Sequence, residues 1–260
     1  MDTYAVLNIR VWEFMWRNIT RQFPYYVLRQ IFIMHPWKAC SGLASYSNLV
    51  RTFKGHSLNG TLPFENTMKR FSEQGNPLIA PGFCMKPYDN DTQQSACPAG
   101  HFNHRCHLLE KSQELPHPDK WPSPCHECGI APLASAAARI GADFYIMTSA
   151  FDIARDVYLP ALNGTGSTLG LFFLCPYSTE PFTFGLSISG LQGHLITFCQ
   201  GDCRNHEEWT RADLGIKNKQ TMVDAPTYQK VLDSVQNTSK KNKTFYSFHK
   251  VGEVYKSVKS

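Results

Sequence analysis

A chain of 260 residues with 42% hydrophobic and 13% aromatic residues can bury a sizeable core, which excludes disorder as a description of the whole. The net charge of +5 resides in residues 240–260, where Lys240, Lys241, Lys243, Lys250, Lys256 and Lys259 face only Glu253, so the rest of the chain is neutral. The cysteine count, nine, is odd, and the first stretch lacks the basic-then-apolar order of a secretion signal; both argue against a disulfide framework and for reduced thiols in a cytoplasm.

Residues 1–55 read as helical and aromatic, and Pro24 and Pro36 are expected to divide them into two helices. Arg10, Arg17, Arg21 and Arg29 lie in the same stretch, so its helices either pack an apolar stripe on the core or lie at a membrane surface. Arg29 interrupts the best apolar run, Tyr25–Met34, so no segment reaches the ~18 uninterrupted apolar residues of a spanning helix. Residues 1–80 are therefore expected to form an N-terminal helical region that packs on, or docks through, the core.

Residues 81–128 change character. They hold five of the nine cysteines, five of the ten histidines and seven of the sixteen prolines. Proline at this density is expected to exclude regular helix and central strand, and a long irregular loop in a compact domain usually carries function or a metal. The segment is read as a Cys/His/Pro-rich metal-binding loop.

Residues 129–225 read as an α/β core. Ala131–Ile140 is a helix closed by Gly141, and Asp143–Met147 is a strand. Ser149 caps a helix that Pro160 is expected to stop near Leu159. After a Gly-rich turn over 163–168, Leu169–Cys175 reads as a strand buried on both faces, and His194–Cys199 as a third strand. Strands alternating with helices predict an α/β fold with a small parallel-sheet, Rossmann-like core. Residues 226–260 add a helix, Tyr228–Val235, and a solvated basic tail.

A parallel sheet gathers its strand C-termini on one edge, where ligands bind. Cys175, Cys199 and Cys203 follow strand ends, and Cys125-x-x-Cys128 precedes a helix that returns to a strand, so these five thiols share that edge. Thr148 and Ser149 end the first strand there and are candidate cofactor contacts. Arg204 and Asn205, in a turn after the last strand, either hold an anionic ligand or cap the next helix.

Thiolates suit zinc and iron–sulfur clusters. Irregular spacing together with Cys97-Pro98 and Cys175-Pro176 favours iron–sulfur over zinc. A thioredoxin-like use of the Cys-x-x-Cys is disfavoured because no strand feeds directly into it. His101, His104 and His107 read equally as loop imidazoles or as an odd ligand, Cys40 as a small apolar residue and His194 as structural.

The order of these pieces resembles a family of cysteine-rich microbial proteins classed only as a domain of unknown function and predicted to bind metal. The likeness runs over roughly residues 79–210, through Pro81-Gly82-Phe83-Cys84, Cys97-Pro98, Cys125-His126-Glu127-Cys128-Gly129-Ile130, a helix, Gly141, strands ending at Cys175, and Gly201-x-Cys203-x-Asn205. The resemblance implies cluster ligands at Cys84, Cys97, Cys125 and Cys128, with Cys175 and Cys203 also matching. Where family members often have a third cysteine after the Cys-x-x-Cys, this chain has Ile130-Ala131, while Cys106 and Cys199 are extra. The expected protein holds one or two 4Fe–4S clusters, a second one from Cys106, Cys175, Cys199 and Cys203. Its expected role is electron transfer or cluster-assisted redox chemistry with a redox partner protein. The alternatives are a zinc-stabilised module contacting nucleic acid, which the neutral body of the chain disfavours, and a peripheral subunit of a larger redox complex.

Overall fold

A computed structural model describes residues 12, 22–52, 59–73, 76–89, 91–92, 94–111, 118–238 and 246–259. Four parallel strands form one side of a six-stranded sheet: β1 (Leu78–Pro81), β4 (Asp143–Phe144), β5 (Leu169–Leu174) and β6 (Gln192–Thr197). A hairpin of β7 (Tyr246–Val251) and β8 (Val254–Lys259) extends it, giving the order β6-β5-β1-β4-β8-β7 with β8 antiparallel to β4. A separate two-stranded ribbon joins β2 (Tyr88–Asp89) to β3 (Gln94–Ser95). The α/β class and the largely parallel sheet are as the helix–strand alternation predicts. The chain leaves β1 for β4 on one side, then crosses to β5 on the other, so the winding reverses between β1 and β5. Crevices at the carboxyl ends of strands at such a reversal are where open α/β sheets take ligands.

Strand alternation sorts the core into two faces. Ile79, Phe144, Leu171, Phe173 and Ile196 point to a layer containing the helices Phe64–Glu73, Ala131–Ile140 and Ala225–Thr238. Leu78, Ala80, Tyr145, Phe172 and Leu195 point the other way, onto the chain from Ala150 to Asn163 and the helix Thr179–Ser189. At about 1.5–3 kcal/mol per buried large side chain, these two faces supply most of the stabilisation. Gly141 closes the alanine-rich helix with φ 70, as expected of a C-cap glycine.

Four expectations are corrected. Pro81 does not exclude a central strand; it is the last residue of β1, which lies between β4 and β5. That position tolerates proline because its neighbours use its carbonyl, which accepts from Met147 N at 2.8 Å, while Gly82 N carries the ladder to Phe173 O at 3.1 Å. Pro160 does not stop its helix. The π turn Ala154–Tyr158, ending two residues before it, widens the backbone, and helix resumes over Leu159–Asn163 until Gly164, φ 75. The basic tail is not a solvated arm, since residues 246–259 are the β7–β8 hairpin. Tyr255 is buried, and Lys256 Nζ donates to buried Asp143 at 2.7 Å. The lysine count concealed a period-two pattern turning at Gly252, φ 59. At the other end, Pro24 sits inside the helix Gln22–Val27, which runs on through a π turn over Leu28–Ile33, while Pro36 opens the next helix, Pro36–Thr52. Most of the N-terminal apolar residues, like His117, Lys240, Lys241 and Lys243, lie outside the described residues.

The helix Pro36–Thr52 rests on Thr179–Ser189, with Tyr46 edge-on to Phe184 at 5.4 Å. Gly42 permits this approach: a Cβ there would stand 2.4 Å from Ile188 Cα. The obstacle is backbone, so no rotamer change relieves it. Gly42→Ala is therefore expected to destabilise by about 1–3 kcal/mol despite alanine's better helix propensity. Thermal denaturation checks this, and an unchanged or raised Tm would contradict the helix contact.

Candidate functional site

The chain leaving β1 positions everything at the sheet edge. Phe83–Met85 forms one 3-10 turn. Cys84 O accepts from Thr221 N at 2.8 Å, and Met85 O from Gly129 N at 3.1 Å, so the turn is tied to two distant segments. Cys84 and Lys86, two residues apart, then serve two different groups of thiols.

The first group surrounds Lys86, which is only 1% exposed. Its ammonium donates to Gly100 O and Asn103 O, each at 2.9 Å, and to Asn103 Oδ1 at 2.8 Å. Three acceptors satisfy its three N–H groups. Cys97, Cys106, Cys125 and Cys128 line a cavity of about 10 Å³ together with this lysine. Cys106 precedes the helix His107–Lys111, and its N–H donates to the hydroxyl of Tyr255 at 3.0 Å. Cys125 lies in the short helix Ser123–His126, and Cys128 follows at the next turn. Burial pushes the Cys106 thiol up to about 11 and Cys128 up to about 12, each raised further by the neighbouring thiols. Burial pushes Lys86 down to about 8 against the opposing pull of Cys97, Cys106, Cys128 and Glu110. A bound cation would reverse the thiol shifts by displacing their protons.

The second group stands where β1, β5 and β6 end. Cys84 Sγ accepts from Thr221 Oγ1 at 3.1 Å, Cys175 Sγ from Cys203 N at 3.2 Å, and Cys203 Sγ from Lys217 Nζ at 3.4 Å. Burial pushes Cys84 up to about 11. Cys175 rises well above a free thiol through its hydrogen bond to Cys203 and burial. Cys203 falls below one, chiefly because Cys175 hydrogen-bonds to it and then because of Lys217. The three thiols open on a cavity of about 130 Å³ whose other walls include Phe83, Phe173, Phe198 and Trp209. This cavity occupies the topological reversal between β1 and β5.

The structure thus brings together seven of the eight expected ligands, but divides them differently from chain order. Cys106 joins Cys97, Cys125 and Cys128, while Cys84 joins Cys175 and Cys203. Cys199 is exposed and lines neither cavity, because the backbone there turns outward to pair with Met222. Thr148 lines the larger cavity and donates to Asp152 Oδ2 at 2.7 Å. Ser149 is a helix N-cap, accepting from Asp152 N at 3.1 Å. Asn205 likewise caps the helix His206–Asp213, accepting from Glu208 N at 2.9 Å, and Arg204 is exposed, its N–H held by Glu208 Oε2. Of the two readings open for that turn, capping is the one the geometry gives Asn205.

Sequence reasoning missed Lys86, Lys217 and Thr221. A lysine two residues after Cys84, in an otherwise apolar stretch, was the available signal for Lys86. Nothing local marks Lys217. His104, Asp152 and Asp156 also bring ligand atoms within 4.8 Å of one another. Arg155 already pairs with Asp152 at 3.0 Å and Asp156 at 2.7 Å, so one of the two carboxylate charges is offset without a cation. His194 is structural, its Nδ1 2.9 Å from Leu62 O. Comparisons with protein families, curated proteins and solved structures find no match, so the site is argued from its own residues.

His101 meets Phe83 edge-on at 5.1 Å, and both its ring nitrogens are buried without a hydrogen-bond partner. Burial pushes it down to about 4, with Lys86 and Lys217 adding to the effect. Between that value and the ordinary ~6.5 the unfolded chain binds more protons than the folded one. Stability is therefore expected to fall as pH drops through this window, and His101→Phe to flatten the slope there. Denaturation midpoints at several pH values check this; equal slopes in the two proteins would contradict it.

Proposed function

We propose that this is an iron–sulfur protein with a doubly wound, Rossmann-like core, in which Cys97, Cys106, Cys125 and Cys128 hold a 4Fe–4S cluster that serves electron transfer or cluster-assisted redox chemistry. The carrying observation is the convergence of four thiols from three separate segments on one buried cavity beside a buried lysine. The spacing supports a cluster over a single zinc ion. Tetrahedral zinc, with Zn–S of about 2.3 Å, draws its sulfurs to ~3.8 Å from one another. Among the described residues no three thiol sulfurs lie mutually within 4.8 Å. The cavity of about 10 Å³ has room for about one water. A 4Fe–4S cluster is many times larger than that, so binding it would require the four thiol-bearing turns to part around it.

A bound cluster supplies one-electron capacity at a potential set by charge, hydrogen bonding and exposure. Lys86 places a fixed positive charge beside the four thiolates and so lowers the cost of added negative charge. The same lysine pins the loop through Gly100 and Asn103, and Ile130, Ile146 and Leu108 keep water from the sulfurs.

Protein purified or reconstituted without oxygen is expected to be brown and to carry iron and acid-labile sulfide in equal amounts. Cys106→Ser should remove cluster as completely as Cys97→Ser, Cys125→Ser or Cys128→Ser, whereas Cys199→Ser should retain it. Zinc at about one per chain without sulfide would overturn the proposal.

A second feature supports a peripheral role on a larger redox complex. Tyr25, Leu28, Ile33, Met34 and Trp37 are all more than half exposed along residues 25–37, and Trp37 is 86% exposed. No helix among the described residues is long and apolar enough to cross a membrane. Trp37→Ser with Ile33→Ser is expected to abolish co-purification with a redox partner while leaving the iron content unchanged; loss of both together, or of neither, would contradict a separate docking surface.

A further inference from the structure

The four-thiol group leaves Cys84, Cys175 and Cys203 unused, and these three are built as a set. They follow three adjacent strands, β1, β5 and β6, at the point where the sheet's winding reverses. Each sulfur accepts a hydrogen bond from a different kind of donor: the Thr221 hydroxyl, the Cys203 amide and the Lys217 ammonium. Donors to every sulfur are what a ligated thiolate set needs around it, because they orient the ligands and spread their charge. Cys203 Sγ also stands 3.6 Å from Glu208 O, to which its S–H donates while it is protonated.

Charge points the same way. Three thiolates and the Asp213 carboxylate that lines the same cavity would face Lys217 with three uncompensated negative charges at a largely buried site, which is prohibitive without a cation. A metal centre of charge +2 cancels most of that charge, the thiol protons leaving to water as it binds. The set is also incomplete by one ligand. Among the described residues no fourth cysteine or histidine lines the 130 Å³ cavity; its one carboxylate, Asp213, already accepts from Ala150 N at 2.6 Å, and the remaining walls are mainly aromatic and aliphatic. Three protein ligands with one position open is the arrangement of metal sites that bind a substrate rather than merely hold a fold together.

We propose that Cys84, Cys175 and Cys203 ligate a second iron–sulfur centre with one metal position left open toward the apolar cavity, where a small, largely apolar molecule coordinates through a single donor atom. The metal type rests on the iron–sulfur reading of the four-thiol group, while the site itself does not. As in that group, its three sulfurs do not lie mutually within 4.8 Å, wider than a lone zinc ion holds them. The centre itself takes part of the 130 Å³, and a cavity of about 150 Å³ lined by apolar side chains accepts benzene, so a single ring is the upper limit for the molecule beside it.

The test measures iron and sulfide in the full chain after anaerobic reconstitution, then follows absorbance and the EPR signal of the reduced protein during titration with benzenethiol. Wild-type iron should fall to about half in Cys84→Ser, Cys175→Ser and Cys203→Ser, and also to about half in the double variant C97S/C125S. Benzenethiol should shift the spectrum of wild type and of C97S/C125S, but not that of Cys203→Ser. Iron content untouched by all three of the first variants would overturn this proposal and leave the four-thiol cluster standing. Iron untouched by C97S/C125S but lost in the others would do the reverse. Should a serine variant fail to fold, wild type alone still decides. Iron loading should slow alkylation of Cys84, Cys175 and Cys203 together, read by mass spectrometry, and a spectrum unmoved by benzenethiol would sink the open position.

Discussion

The pairing of β1 between β4 and β5 is the constraint on which the rest of this structure depends. The strand is four residues long, yet it is hydrogen-bonded on both sides and completely buried. Its continuation is held as firmly: Gly82 N bonds to Phe173 O, Phe83 N to Met147 O, and the Cys84 and Met85 carbonyls to Thr221 and Gly129. That continuous ladder delivers Cys84 to one thiol group and Lys86 to the other. Gly82 has little room to change, since a Cβ there would stand 3.3 Å from Cys84 Sγ and from Phe173 O.

Lys86 explains how a segment with so little regular structure keeps one shape. A buried ammonium costs several kcal/mol to desolvate, which three charge-assisted hydrogen bonds of about 1.5–3 kcal/mol each offset. All three acceptors belong to the loop, at Gly100 and Asn103, so the loop can satisfy the lysine only by folding around it. Asn103 Nδ2 then donates to Ala99 O at 2.7 Å and closes the turn. Tyr255 ties the loop to the hairpin, accepting from Cys106 N and donating to Glu110 at 3.1 Å. The C-terminal strands therefore help to shape a thiol group far from them in sequence. Phe83, packed edge-on against His101, walls the larger cavity.

Local chemistry was readable wherever one segment decided its own structure. Gly141 closes its helix, Ser149 caps the next, and the run Leu169–Leu174 is a strand buried on both faces, all from signals within a few residues. The failures share one cause. Proline was read as a veto, but at Pro81 the partner strands need only a carbonyl, and at Pro160 a π turn two residues earlier opens the backbone. The lysines of the C-terminal segment were counted as charge, although Lys256 meets a buried Asp143 on β4, more than a hundred residues away.

The site followed the same division. The order of residues by itself placed Cys125, Cys128, Cys175, Cys199 and Cys203 at one sheet edge, because parallel topology gathers strand ends there, and of these only Cys199 lines neither cavity. Which thiols share a cavity was decided only by tertiary structure. Cys84 lies nearer in sequence to Cys97 and Cys106 than to Cys175 or Cys203, yet it joins the latter two, while the tie from the Cys106 amide to Tyr255 and the burial of Lys86 hold Cys106 in the four-thiol group. Lys217 and Thr221 carry no local mark of their role, and they reach the sulfurs only because the segment after β6 folds back over the ends of β1 and β5. Chemistry can be read from a residue's identity; its neighbours depend on distances that the order of residues along the chain does not contain.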